Sequence, residues 1–324
     1  MTGRRSREIR RWHWLAPVVV ALVAGLLAFG RDGVSFAAPG QGLFVFGARD
    51  GIALTSPNAG GGNPLINWAT LEPQKGVYDW SSLDKAIADA KAHGKKIIPR
   101  VYTNIDANGQ ASPAWFFATP GAMYYYPSAS AQSRGYKAPV PWDQVYRDEF
   151  GRFVSALGAR YNGNPTIEFF QTNAGGGMYG EQYMGNQAPG YSAALQIKMT
   201  ELWLNKWHRV FPNTHLAVMV NYIGGNIGEE VSAYAASLGI YLQQNTAWIS
   251  SGAMNLFKAN ASKTKIIVDA DDACTYATGS AFDQLTARVL SYGSPVDYVL
   301  LCYKSFSDPA TAAKLPAFNS QLRH

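Results

Sequence analysis

The feature that most constrains the fold is an alternation of two patterns. Short, nearly continuous apolar runs recur along the chain, and stretches with helical periodicity lie between them. The runs read as strands at 42–46, 64–68, 96–102, 166–171, 215–221, 239–243, 265–269 and 298–303. Lys265-Ile266-Ile267-Val268-Asp269 is representative: β-branched and almost wholly apolar, as suits a parallel strand buried on both faces. Helices are predicted at 80–93, with Ser81 or Ser82 as cap and Gly94 as terminator, and at 143–161. Four more are predicted at 192–211, closed before Pro212, and at 229–238, 247–259 and 281–291. Eight strands alternating with helices predict an α/β chain with a single (β/α)8 TIM barrel, typically about 250 residues long. An open doubly wound sheet is the alternative. It would carry a Gly-rich turn opening a helix after its first strand, and Gly60-Gly61-Gly62 opens no helix.

The predicted barrel occupies 39–324, and residues 1–38 have a different character. Met1–Arg11 is basic, 15–29 is an uncharged apolar run, and small residues follow at Ala37 and Ala38. That order is the order of a secretory signal peptide. The run is short for a membrane span, which needs about 20 residues. An uncleaved signal anchor with its basic end in the cytoplasm is the competing reading. Either one exports the body, so the expected location is secreted or extracytoplasmic, with a membrane engaged only through the N-terminal segment.

The net charge of +6 follows the same division. Six Arg against Glu8 and Asp32 give residues 1–38 a charge of +4, leaving +2 for the rest. The body therefore shows no basic stripe that would imply a nucleic-acid partner. Charged residues are only 15% and aromatics 13%, which excludes a disordered chain. Two cysteines cannot build a disulfide framework or a Cys-based zinc site. In an exported protein Cys274 and Cys302 could pair, and two buried thiols are the other option. No His-x-x-x-His or His-Glu-x-x-His metal site, nucleophile elbow or P-loop occurs, so neither metal nor cofactor is expected. Asn260-Ala261-Ser262 is an N-glycosylation triplet.

In a TIM barrel, function resides on the loops after the strands. The longest, 104–141, follows the third strand and holds Trp115, Phe116, Phe117, Tyr124, Tyr125, Tyr126 and Tyr136. Such aromatics either pack over the barrel mouth or offer flat faces to sugar rings.

The segment Ile66-Asn67-Trp68-Ala69-Thr70-Leu71-Glu72-Pro73-Gln74-Lys75-Gly76-Val77-Tyr78-Asp79-Trp80 carries a resemblance. An apolar strand, Trp, Leu-Glu-Pro and then Gly-x-Tyr-Asp-Trp is similar to the second strand and loop of clan A glycoside hydrolases. Beta-galactosidase-like members are the nearest in pattern. Gly94-Lys95-Lys96-Ile97-Ile98-Pro99-Arg100-Val101 resembles their third strand. The resemblance implies a carbohydrate substrate or ligand. It also implies two catalytic carboxylates, one after strand four and one ending strand seven.

Strand four ends in Asn173-Ala174, where the clan has Asn-Glu. Gly175-Gly176-Gly177-Met178-Tyr179-Gly180-Glu181 follows and resembles the Gly-rich turn and Glu of some related enzymes. Elimination points the same way. The body has seven Glu. Glu149, Glu168 and Glu201 lie in helices or early in a strand, Glu229 and Glu230 open a helix, and Glu72 is expected to order the second loop. Glu181 is thus the candidate acid/base. Strand seven ends Asp269-Ala270-Asp271-Asp272, and alternation puts Asp269 and Asp271 on one side. They are rival candidates for the nucleophile. Candidate sugar contacts at the strand ends are Trp68, Arg100, Tyr102, Trp115, Asn173, Asn221, Gln243 and Tyr303, with Arg100 also able to orient a carboxylate. Ala174 favours a second reading, a catalytically inactive barrel that binds glycan at the cell surface.

Overall fold

The computed structural model describes residues 42–47, 51–106, 109–174, 188–220, 226–244, 251–270, 274–291 and 296–322. The expected leader lies outside them. Among the described residues no helix is long and apolar enough to cross a membrane.

Ten parallel strand segments form the core sheet. They are β1 (Leu43–Phe46), β2 (Gly61–Asn63), β3 (Leu65–Asn67), β4 (Lys96–Ile97) and β5 (Arg100–Tyr102). After them come β6 (Phe170–Gln171), β7 (Leu216–Met219), β8 (Tyr241–Gln244), β9 (Ile266–Asp269) and β10 (Tyr298–Leu301). The ladder runs β3-β5-β6-β7-β8-β9-β10-β1-β2-β4. Its two ends belong together, because β2 and β3 are halves of one strand broken at Pro64. Likewise β4 and β5 are halves of one strand broken at Pro99, where proline supplies no ladder N–H. A bridge from Ile97 to Ile167 carries the lower half of that strand on to the next. Eight parallel strands therefore close into a barrel.

The second strand begins earlier than the sequence implies, at Gly61 rather than Pro64. Gly61 has φ 155°, and a Cβ there would sit 1.7 Å from the Lys96 carbonyl oxygen. Only glycine permits this approach.

The period-two pattern of the strands separates two buried clusters. Phe44, Ile98, Phe169, Ala217, Tyr241, Ile267, Tyr298 and Leu300 point inward and fill the lumen. Their neighbours Leu43, Val45, Phe170, Val218, Leu242, Val268 and Val299 join the outer cluster beneath the helices. The lower end of the lumen is stoppered. Tyr298 donates its hydroxyl hydrogen to Glu168 at 2.6 Å, and the Lys265 ammonium lies 4.9 Å from the Tyr298 ring centroid. Tyr298 also meets Phe169 edge to face, at 5.1 Å.

Among the described residues six longer helices surround the barrel: α1 (Ser81–Ala92), α2 (Gln144–Tyr161), α3 (Ala193–Val210), α4 (Asn226–Ser237), α5 (Ser251–Asn260) and α6 (Gly279–Leu290). Asp143 caps α2 by accepting from the Tyr146 N–H, and Ser192 caps α3 by accepting from the Leu195 N–H. Neither Ser81 nor Ser82 caps α1. Asp79 accepts the Ser81 N–H instead, in an Asx turn. Gly94, at φ 64°, follows the end of α1 as expected.

Cys274 and Cys302 form a disulfide. It ties the segment after β9 to the end of β10. Cys274 holds φ 59°, unusual for a residue other than glycine. The side chain of Asn260 is buried and donates to the Leu256 carbonyl, so the glycosylation triplet is not displayed.

Candidate active site at the strand ends

Above the aromatic layer the inward positions turn polar. Arg100 follows Ile98, Gln171 follows Phe169, Gln243 follows Tyr241 and Asp269 follows Ile267, each two residues further along its strand. Asn63, at the end of β2, joins them. All five side chains are buried. The Arg100 Nε donates to Gln171 Oε1 at 2.7 Å, and Asn63 Nδ2 donates to the same oxygen at 2.8 Å. Gln171 Nε2 donates to Gln243 Oε1 at 2.5 Å. With two donors on its oxygen and an acceptor on its nitrogen, the Gln171 amide has one orientation. It thereby fixes the guanidinium, whose Nη2 reaches across the lumen to Asp269 Oδ2 at 3.3 Å.

Arg100, Gln243 and Asp269 are thus brought together, with Tyr102 one step above Arg100 on the same strand face and also buried. Gln171 and Asn63 were missed at the sequence level. The signal for Gln171 was present: a lone amide ending an apolar run, in phase with Phe169. Asn63 was hidden because the second strand was placed too late.

Four expected sugar contacts lie elsewhere. Trp68 shares the parity of Ile66, so it faces outward. It is fully buried among Phe116, Tyr146, Phe150 and Phe153, and its indole N–H donates to Glu72 Oε2 at 2.8 Å. Trp68 is a core residue. Trp115 meets Trp68 edge to face and donates its N–H to the Glu72 carbonyl at 2.9 Å, so the loop packs this aromatic onto the core. Asn173 lies beyond the end of β6. Its Nδ2 donates to Thr103 Oγ1 at 3.2 Å, and its Oδ1 accepts from Trp207 Nε1 at 3.1 Å. Both ends of the amide are engaged by protein, and the residue fastens the loop to α3. Tyr303 opens a short helix, Tyr303–Ser307, and packs half-buried against the outer cluster. Ala174, where the clan has its acid, is fully buried in that outer apolar cluster.

Glu72 behaves as expected. Its carboxylate is wholly buried, accepts from Trp68 Nε1 and from the Gly76 N–H at 2.8 Å, and lies 3.3 Å from Arg152 Nη2. It orders the second loop. Glu181, Asp271 and Asn221 lie outside the described residues. Among the described residues no cluster of three or more His, Cys, Asp or Glu could hold a metal.

Residues 65–206 match the Beta-galactosidase family model. That stretch begins at β3 and includes β4 to β6, Glu72, Arg100 and Gln171. The chain is 31% identical over 108 residues to a beta-galactosidase of Thermus thermophilus, covering 33% of this chain and 16% of that one. It is 28% identical over 111 residues to the beta-galactosidase bgaB of Geobacillus kaustophilus, covering 34% and 16%. The matched segment thus spans about a sixth of either relative. Among solved structures, the catalytic domain of a beta-amylase from Paenibacillus polymyxa superposes with a TM-score of 0.62 at 10% identity, covering 87% of this chain and 98% of that one. A catalytic mutant of Gan42B, a GH42 beta-galactosidase from G. stearothermophilus, gives 0.51 at 12% identity, covering 81% and 52%. The fold is that of the (β/α)8 glycosidases, and the sequence resemblance is to beta-galactosidases.

Proposed function

We propose that the protein is an exported glycoside hydrolase acting on an oligo- or polysaccharide through two carboxylates. Glu181 donates a proton to the leaving oxygen, and Asp271 attacks the anomeric carbon or activates water. The observation that carries this reading is the Arg100–Asp269 pair. It supports the reading by holding one carboxylate of the seventh strand, Asp269, in the lumen of a barrel with the glycosidase fold. The complete burial of Asp269 and its ion pair favour Asp271 over Asp269 as the reacting group. A separation of about 5–5.5 Å between the two reacting carboxyls gives retention, and about 6.5–9.5 Å gives inversion. The disulfide and the signal-like leader support export, since such bridges persist in oxidising compartments.

The test is reducing-sugar release from a glycan panel headed by β-galactosides, which the named relatives suggest first. The full chain is compared with Glu181→Gln. An amide cannot exchange the proton, so turnover falls by at least about 100-fold if Glu181 is the acid/base. Full activity in the variant moves the acid elsewhere. The second reading, an inactive glycan-binding barrel, rests on the burial of Ala174 in apolar surroundings. It is favoured if the folded wild type binds a glycan from the panel and releases nothing from it.

A further inference from the structure

On the outside of the barrel, α2 and α3 leave a groove of about 310 Å³ between them. That volume is at the lower end for small-molecule sites. Its walls carry Arg147 and Arg152 from α2, and Lys206 and Arg209 from α3, with Asp148 as the acid lining it. Arg152 is committed elsewhere, to Glu149 at 2.5 Å and to Glu72 at 3.3 Å. Arg147, Lys206 and Arg209 remain as three cations facing one acid; Lys206 Nζ donates to Ser155 Oγ at 2.6 Å, a neutral partner that leaves its charge unbalanced. Lys206 and Arg209 are three residues apart on one helix, a spacing at which like charges repel. Burial, and next the charge of Arg209, lowers the pKa of the Lys206 ammonium.

Two further observations indicate that something complements this charge. Trp203, on the groove wall, is 1% exposed, and its indole N–H has no acceptor among the described residues. Arg147 Nε is likewise buried without an acceptor, although the guanidinium also bonds Gln144. Buried donors without acceptors are rare in native proteins.

The second observation concerns glycine. α2 contains Gly151 and Gly158, both costly in a helix. A Cβ at Gly158 would lie 2.6 Å from the Val210 carbonyl oxygen, so close helix packing demands glycine there. A Cβ at Gly151 would meet only the Lys206 Cε, at an ordinary 3.9 Å. Packing does not demand Gly151. Its missing side chain keeps the groove open.

We propose that this groove binds an oxyanion, a phosphate or sulfate group, between Arg147, Lys206 and Arg209 with the indole of Trp203 at its wall. Guanidinium and ammonium groups converging on a partly desolvated recess suit such a ligand. The group is either a free ion or an ester on a polysaccharide. The site is separate from the lumen and independent of the catalytic reading.

The experiment is a calorimetric titration of the full chain with inorganic phosphate and with sulfate, at ionic strength fixed by sodium chloride. Saturable binding by the wild type is expected. Affinity should fall at least tenfold in the Arg147→Gln, Arg209→Gln double variant. Gly151→Glu is the second variant. It places a carboxylate in the groove and removes a helix glycine, so it should raise Tm and abolish phosphate binding. A parallel arm compares sulfated with neutral dextran. Tighter binding per sulfate than for the free ion assigns the ester, and equal binding assigns the free ion. The proposal is overturned if phosphate and sulfate do no more than chloride, or if both variants bind as the wild type does.

Discussion

Arg100 Nη2 stands 3.3 Å from Asp269 Oδ2 inside the barrel, where both side chains are withdrawn from water. An isolated buried charge is costly, and each residue supplies the other with an opposite charge. Asp269→Asn removes the carboxylate charge from this buried pair and should destabilise the protein by about 3–5 kcal/mol. Asp271→Asn should leave the urea midpoint near wild type and abolish turnover. The two rivals are separated by measuring midpoint and kcat on both variants. A stable Asp269→Asn protein with no turnover would make Asp269 the nucleophile.

Glu72 supplies the second prediction. Its carboxylate serves Trp68, Gly76 and Arg152 at once. Glu72→Ala strands two N–H donors in or near the core, each worth about 1–3 kcal/mol when left unsatisfied. The expected loss in urea denaturation is about 2–6 kcal/mol. Activity per folded molecule should be retained, because the Glu72 carboxylate bonds to Trp68, Gly76 and Arg152 and to none of the polar residues of the lumen. A selective loss of kcat at unchanged stability would refute the structural role.

The strands were legible because burial on both faces leaves a strong apolar signal, as in 265–269. The helices were legible from their apolar periodicity, as in 143–161, and some of their ends from Gly94 and Pro212. The polar layer was legible only in part. Arg100 and Asp269 were visible as charges in apolar strands, whereas Asn63 ends a strand segment whose glycine start reads as a turn. Trp68 and Asn173 misled for one reason. Both lie where the chain leaves its strand, and there the inward and outward parities depend on a turn that no local pattern specifies. Trp68 then faces the aromatic cluster of α2, and Asn173 is drawn to Trp207.

The disulfide closes a loop of sequence separation 28. The chain-entropy relation gives about 3–4 kcal/mol for a loop of that size. A Cys274→Ala, Cys302→Ala double variant should therefore lose about that stability in urea. It should also lose turnover under native conditions, because the bridge anchors the segment immediately after 271–273. Equal Tm and kcat in reduced and oxidised protein would show that the bridge is dispensable.

Asp84 joins α1 to α2 through an ion pair with Arg160 at 2.5 Å and a hydrogen bond from the Tyr161 hydroxyl at 2.8 Å. Burial pushes the Asp84 carboxyl up, but the Arg160 and Tyr161 hydrogen bonds together outweigh it, and the carboxyl titrates below its ordinary 3.8. A folded-state value below the unfolded one means that the contribution is fully present above about pH 4. It disappears as pH falls through the folded value. The pair is largely exposed, so the gain is small, under about 1 kcal/mol. Asp84→Asn should thus lower the urea midpoint slightly at pH 7 and not at all near pH 2. Added salt should shrink the difference at pH 7. Urea melts of both proteins at the two pH values give the check. A difference that grows on acidification would mean that the carboxylate is destabilising in the folded state.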